Sequence, residues 1–125
     1  MQGMISQWSF GEKPKVFSDN YPNIILNIQV PQNLGQISAG TVIGVDTSTG
    51  SFVVYDPNAK DANGNPVHTP YGVLVEDLDT STSTLARVLV FGVVYEDAIN
   101  VKGNPPASSD KEALRALNIY VIERI

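Results

Sequence analysis

The sequence contains no cysteine, a single histidine and a single tryptophan. Without cysteine, disulfides, thiolate nucleophiles and Cys-ligated zinc are excluded, which fits synthesis in a reducing cytoplasm. Basic residues are scarce as well: Lys and Arg total 8 against 13 Asp and Glu, for a net charge of -5. None occurs between Val16 and Ala59, and none from Asp61 to Ala86. A nucleic-acid binder needs a basic stripe to displace counterions from phosphates, and an anionic membrane surface makes a similar demand. Neither partner is expected. Long hydrophobic runs are also missing. The longest strongly apolar stretch, Val88 to Tyr95, falls far short of the ~20 residues that span a bilayer. Met1-Gln2-Gly3-Met4-Ile5 has neither the charged start nor the apolar centre of a secretory signal. These absences lead us to expect a soluble protein.

What is present suits one globular domain. The chain has 125 residues, 42% of them hydrophobic and 17% charged, and this size buries roughly two-thirds of its unfolded surface. Residues 1–21 read as an N-terminal arm in which Trp8, Phe10, Phe17 and Tyr21 alternate with Gly, Ser, Lys and Pro. They follow neither a helical nor a strand period. Such side chains need cover from this domain, a sister subunit or a partner. Residues 22–125 read as a single β-rich domain. Ile24 to Val30 is β-branched and stops at Pro31, as a strand would. Thr41 to Asp46 and Ser51 to Asp56 flank a hairpin loop in which Gly50 supplies the left-handed conformation. Pro57 to Pro70 is dense in turn formers. Tyr71 to Glu76 is a further strand, Asp77 to Ser83 a polar turn, and Leu85 to Glu96 a long apolar strand. Asn100 to Ser108 is a second loop. Ser109 and Glu112 have capping-box spacing and open a short helix through Leu117, which Asn118 can stop. Ile119 to Ile122 is a last strand. The expected fold is mainly β: a small β-barrel or compact sheet with one short helix late in the chain.

Reaction chemistry is hard to place on this pattern. His68 lies among prolines and reads as a solvated loop residue rather than a general base. No Gly-x-Ser-x-Gly elbow and no phosphate-cradling loop occurs. Asp61-x-Asn63-x-Asn65 starts like a calcium loop, but the sixth and twelfth positions hold Pro66 and Gly72 where Gly and Glu are required. Glu76, Asp77 and Asp79 suggest paired carboxylates, yet strand neighbours alternate faces, so a solvated acidic turn is the simpler reading. Arg87 and Arg115 read as surface ion-pair partners. We therefore expect no enzyme, cofactor, metal or small-molecule substrate, but a binding module.

Ala39-Gly40-Thr41-Val42-Ile43-Gly44, the run through Tyr55-Asp56-Pro57, Tyr71-Gly72-Val73-Leu74-Val75-Glu76-Asp77-Leu78-Asp79-Thr80, Val88 to Asp97 and Glu112 to Ile119 follow one another in a recognisable order. Together they resemble lambda-type bacteriophage head decoration proteins over about residues 37–122. The resemblance implies a β-rich structural protein of the virion, placed on the outer surface of the expanded head. It implies homotrimers at threefold sites that clamp the major capsid protein, with an N-terminal segment that adds a strand to a capsid-protein sheet. On that reading Trp8, Phe10, Lys13, Lys15, Phe17 and Tyr21 contact the capsid. Asn100, Val101, Pro105 and Pro106 are the expected contacts between subunits. The alternatives are another phage adaptor (a head-fibre base or a tail-associated β-module) and, further off, a small β-barrel hydrolase using His68 or the Glu76–Asp79 carboxylates.

Overall fold

The computed structural model describes residues 15–124. The β-branched run before Pro31 forms β1 (Ile24–Gln29), which ends there because proline has no N–H to give a ladder. After a 3-10 turn at Gln32–Leu34 comes a two-residue strand, β2 (Gln36–Ile37). β3 (Val42–Asp46) and β4 (Phe52–Val54) make the expected hairpin, with Val45 opposite Phe52. β5 covers His68–Leu74, β6 Leu78–Asp79 and β7 Leu85–Tyr95. One α-helix occurs among the described residues, α1 (Ser108–Arg115), and β8 (Ile119–Ile122) follows it.

The protein is mainly β. The main sheet runs β1-β7-β5-β3-β4 with antiparallel pairings, and β8 lies parallel to the second half of β7. The compact-sheet form of the expectation holds, and the barrel form is corrected. Among the described residues β1 pairs only with β7 and β4 only with β3, so the sheet keeps its edges. Closure would need a continuous ladder across the gap, and a three-residue β4 offers too few backbone groups for one.

β5 starts at His68, inside the stretch read as a loop. Pro70 is accommodated opposite Gly44, where the β3–β5 register shifts, and a bulge tolerates the missing N–H. The capping box also moves. The helix begins at Ser108, so the third helical residue is Asp110, whose Oδ2 accepts the Ala107 N–H at 2.9 Å. Ser109 and Glu112 are not the pair that closes the end. Asn118 does terminate the turn after the helix, with φ at +66°.

β7 organises the interior because each half has a different pair of neighbours. Its first half lies between β1 and β5, with Leu89 opposite both Ile25 and Val73. Its second half lies between β8 and residues 16–18: Ser18 N–H reaches Val93 O at 2.9 Å, and Tyr95 N–H reaches Val16 O at 3.0 Å. One core gathers Ile28, Ile37, Ile43, Leu74 and Val88; the other gathers Val16, Val42, Leu89, Ile99, Leu114 and Ile119. Full burial of such a side chain contributes ~1.5–3 kcal/mol. Val16 is therefore part of the domain's packing, although the sequence places it in the arm.

Candidate functional site

Alternation along β7 and β8 builds an apolar face on the outside of the sheet. Ile119 is buried and Val121 packs on the second core, so Tyr120 and Ile122 project the other way. Register sets Tyr120 beside Val93 and Ile122 beside Tyr95, and paired residues share a face. Gly92, at φ +144°, lets the chain pass Asn23, where an added Cβ would lie 3.1 Å from the Asn23 Cβ. Beyond it, Phe91 emerges opposite Ile24 of β1. Tyr21, Pro22, Phe91, Val93, Tyr120 and Ile122 line an open groove of about 410 Å³ whose walls are almost wholly hydrocarbon. Tyr21 is 52% exposed, Ile24 51%, Tyr120 42%, and Phe91 and Ile122 slightly less. Large apolar side chains exposed singly mean little, but contiguous ones mark a surface that something covers.

Charge borders this face at its two chain ends and along α1, where Lys111, Glu112 and Arg115 share a groove with Tyr120 and Ile122. Before Tyr21, Lys15 pairs with Asp19, and its ammonium sits 5.0 Å from the Phe17 ring centroid. After Ile122, Arg124 binds Asp97 at 3.0 Å and lies over the Tyr95 ring.

The residues expected to touch a capsid divide into two sets. Trp8, Phe10 and Lys13 lie outside the described residues. Lys15 is exposed, Phe17 is half-buried against the second core and bridges Val94, and Tyr21 stands in the groove wall. The residues expected between subunits are mostly internal to their own chain. Asn100, Val101 and Pro106 are buried, and Pro105 is exposed. Asn100 acts as an internal tie: its N–H reaches Gly40 O at 2.9 Å, and its Oδ1 accepts the Gly103 N–H at 2.9 Å. The exposed half of this loop, Lys102 to Pro105, borders a second and more polar groove with Asp56, Asn58 and Ser109.

A family model described as bacteriophage lambda head decoration protein D matches residues 26–122, from within β1 to the end of β8. The chain belongs to that family. Among curated proteins, none matches it. Membership makes it a phage capsid decoration protein, a structural component rather than one of an enzyme family.

In this decoration protein the groups that had suggested chemistry are occupied in holding the fold. His68 is not a solvated loop residue: it opens β5, is half-buried, and its Nδ1 accepts the Asp56 N–H at 3.0 Å. Glu76 faces Arg87 at 3.9 Å, Asp77 accepts the Ala39 N–H at 2.7 Å, and Asp79 accepts the N–H and hydroxyl of Ser81. Asp61 takes the N–H groups of Asn63 and Asn65, both at 2.9 Å, which makes the calcium-like stretch a turn. Among the described residues no cluster of acidic or imidazole groups is arranged to hold a metal.

Sequence reasoning passed over Phe91, Tyr120 and Ile122. The signal was there: the second half of β7 and all of β8 are apolar at successive positions, so neither strand has a polar side to give to water. Such strands are covered on both faces, and among the described residues one face has no cover.

Proposed function

We propose that this protein binds the outer surface of the expanded phage head as trimers at threefold sites and stabilises the shell without catalysing a reaction. The observation that carries the reading is the continuous apolar face of Tyr21, Phe91, Tyr120 and Ile122, beside the point where residues 1–14 join the domain. The major capsid protein is the partner that covers it, assisted by Trp8, Phe10, Lys13, Lys15 and Phe17. Aromatic anchors in a desolvated patch dominate interface energies, and three arms on one trimer would act together, so modest contacts sum to lasting attachment. The exposed part of the second loop, Lys102 to Pro105, is the side offered to a neighbouring copy. Synthesis occurs in the host cytoplasm. No nucleic acid, membrane or small molecule enters the scheme, which suits the lack of a basic stripe.

The test is co-sedimentation with expanded, undecorated heads. Full-length protein is compared with the pair of substitutions W8A and F10A, with F91S and Y120S, and with a chain lacking residues 1–14. The cut spares Val16, which belongs to the core. Saturable binding at three copies per threefold site is expected, weakened by about tenfold or more in each variant, with little change in unfolding midpoint because Phe91 and Tyr120 are exposed. Full decoration by all variants would remove both the face and the arm from the contact. No binding by the wild type to any form of the shell would leave the adaptor reading in its place.

A further inference from the structure

We propose that Arg124 is a positioning residue that fixes where residues 1–14 leave the domain, an inference that rests on those residues serving the capsid contact. Its guanidinium joins three parts of the chain that are remote in sequence. Nε donates to both Asp97 oxygens at 3.1 and 3.0 Å, Nη2 lies 3.0 Å from Asp97 Oδ1, and Nη2 also donates to the Lys15 carbonyl at 2.8 Å. The guanidinium carbon stands 4.0 Å from the centroid of the Tyr95 ring. Asp97 belongs to the 3-10 turn Glu96–Ala98 that closes β7, and Tyr95 is the last residue of that strand.

The place of this contact matters more than its strength. Working back along the chain from β1, the domain holds the N-terminal segment through the Ser18 N–H on Val93 O, the Val16 carbonyl under the Tyr95 N–H and the buried Val16 side chain. The Lys15 carbonyl comes next, and the group that takes it is Arg124. Among the described residues the contact is thus the outermost tie at the root of the first fourteen residues, and it lies at the Ile122 end of the apolar face.

An arm rooted at a fixed point loses less freedom on binding than one whose root frays to Ser18. Arginine suits the task because its planar fork makes several directed hydrogen bonds while its face stacks on an aromatic ring. A lysine ammonium would keep the charge near Asp97 without the fork that also reaches the Lys15 carbonyl. Arg124 and Asp97 are both about one-third exposed, so the clamp is a local device rather than a core element.

Two measurements test it. In the free protein, hydrogen exchange of R124Q should accelerate by about tenfold or more at the Ser18 and Tyr95 amides, with Leu89 and Val73 unchanged. R124K should fall between R124Q and the wild type. On expanded heads, R124Q should weaken full-length binding by about fivefold or more, while adding R124Q to the W8A and F10A pair should change little. Unchanged exchange at Ser18 and Tyr95 would overturn the clamp whether or not the protein binds heads. Equal weakening in both backgrounds would overturn the positioning role, because Arg124 would then support the face and not the arm. Failure of the wild type to bind heads would instead overturn the decoration reading, leaving the exchange result to decide the clamp.

Discussion

At Gly40, where φ is +93°, a Cβ added to the backbone would lie 1.8 Å from the carbonyl oxygen of Ala98. The contact is backbone on backbone, so no side chain can swing aside. The Gly40 carbonyl also receives the Asn100 N–H, and its N–H reaches Leu74 O at 2.7 Å, which ties the β3 entrance to β5 and to the second loop. G40A is therefore expected to destabilise the protein by ~2–4 kcal/mol, combining an unfavourable φ with overpacking. Urea unfolding measures this directly, and a loss below about 0.5 kcal/mol, the ordinary scale of a surface change, would contradict the argument. The glycine is visible in Ala39-Gly40-Thr41, but the need for it is not. Ala98 is far away along the chain, and only folding brings its carbonyl there.

For the elements, the helix and β7 teach different lessons. A helix begins where its first free N–H groups find acceptors, and two acidic residues competed for that role. The Ser109–Glu112 spacing was the one legible in sequence. In the fold Asp110, 6% exposed, reaches back to Ala107 instead, because the start is set by how Leu114 docks in the second core. D110A should cost ~0.5–2 kcal/mol, whereas S109A and E112A should each stay within ~0.5 kcal/mol. Thermal unfolding of the three variants decides between the two caps, and the reverse ranking would restore the Ser109 box. For β7 the sequence announced a long apolar strand correctly. It did not announce that the strand changes neighbours midway, since periodicity reports which side chains are apolar and not which ladder they join.

Taken whole, the molecule distributes its acidic groups over turns, which gives its stability a defined pH dependence. The Ser48 hydroxyl and then the Ser48 N–H hold the Asp46 carboxyl below its ordinary pKa. The Lys102 ammonium and then the Asn58 N–H do the same for Asp56, the Asn65 N–H for Asp61, and the Ser81 hydroxyl and then the Ser81 N–H for Asp79. A carboxyl lowered in the folded state contributes stability that is present above the unfolded pKa. That contribution is lost as pH falls through the folded one, because the unfolded chain takes up protons first. The unfolding free energy should therefore decline from about pH 5 downward. D56N should start less stable at neutral pH, decline less steeply and approach the wild type in acid. Parallel wild-type and D56N curves would refute the assignment, and the exposure of these groups keeps each contribution small.

By itself the sequence determined the class of protein: a mainly β chain, without the residues for thiol chemistry and without a basic stripe for nucleic acid, carrying strands whose β-branched runs and turn formers are local properties. It also carried the order of segments that marks the family. Only the tertiary structure decided that the sheet stays open, that Val16 belongs to the core, that Asn100 and Val101 are turned inward, and that Tyr21, Phe91, Tyr120 and Ile122 meet on one outer face. Those outcomes depend on pairings between residues far apart in the chain, β8 along β7 and Arg124 against Lys15. A local pattern fixes which side chains avoid water; the partner strand fixes where they are taken to avoid it.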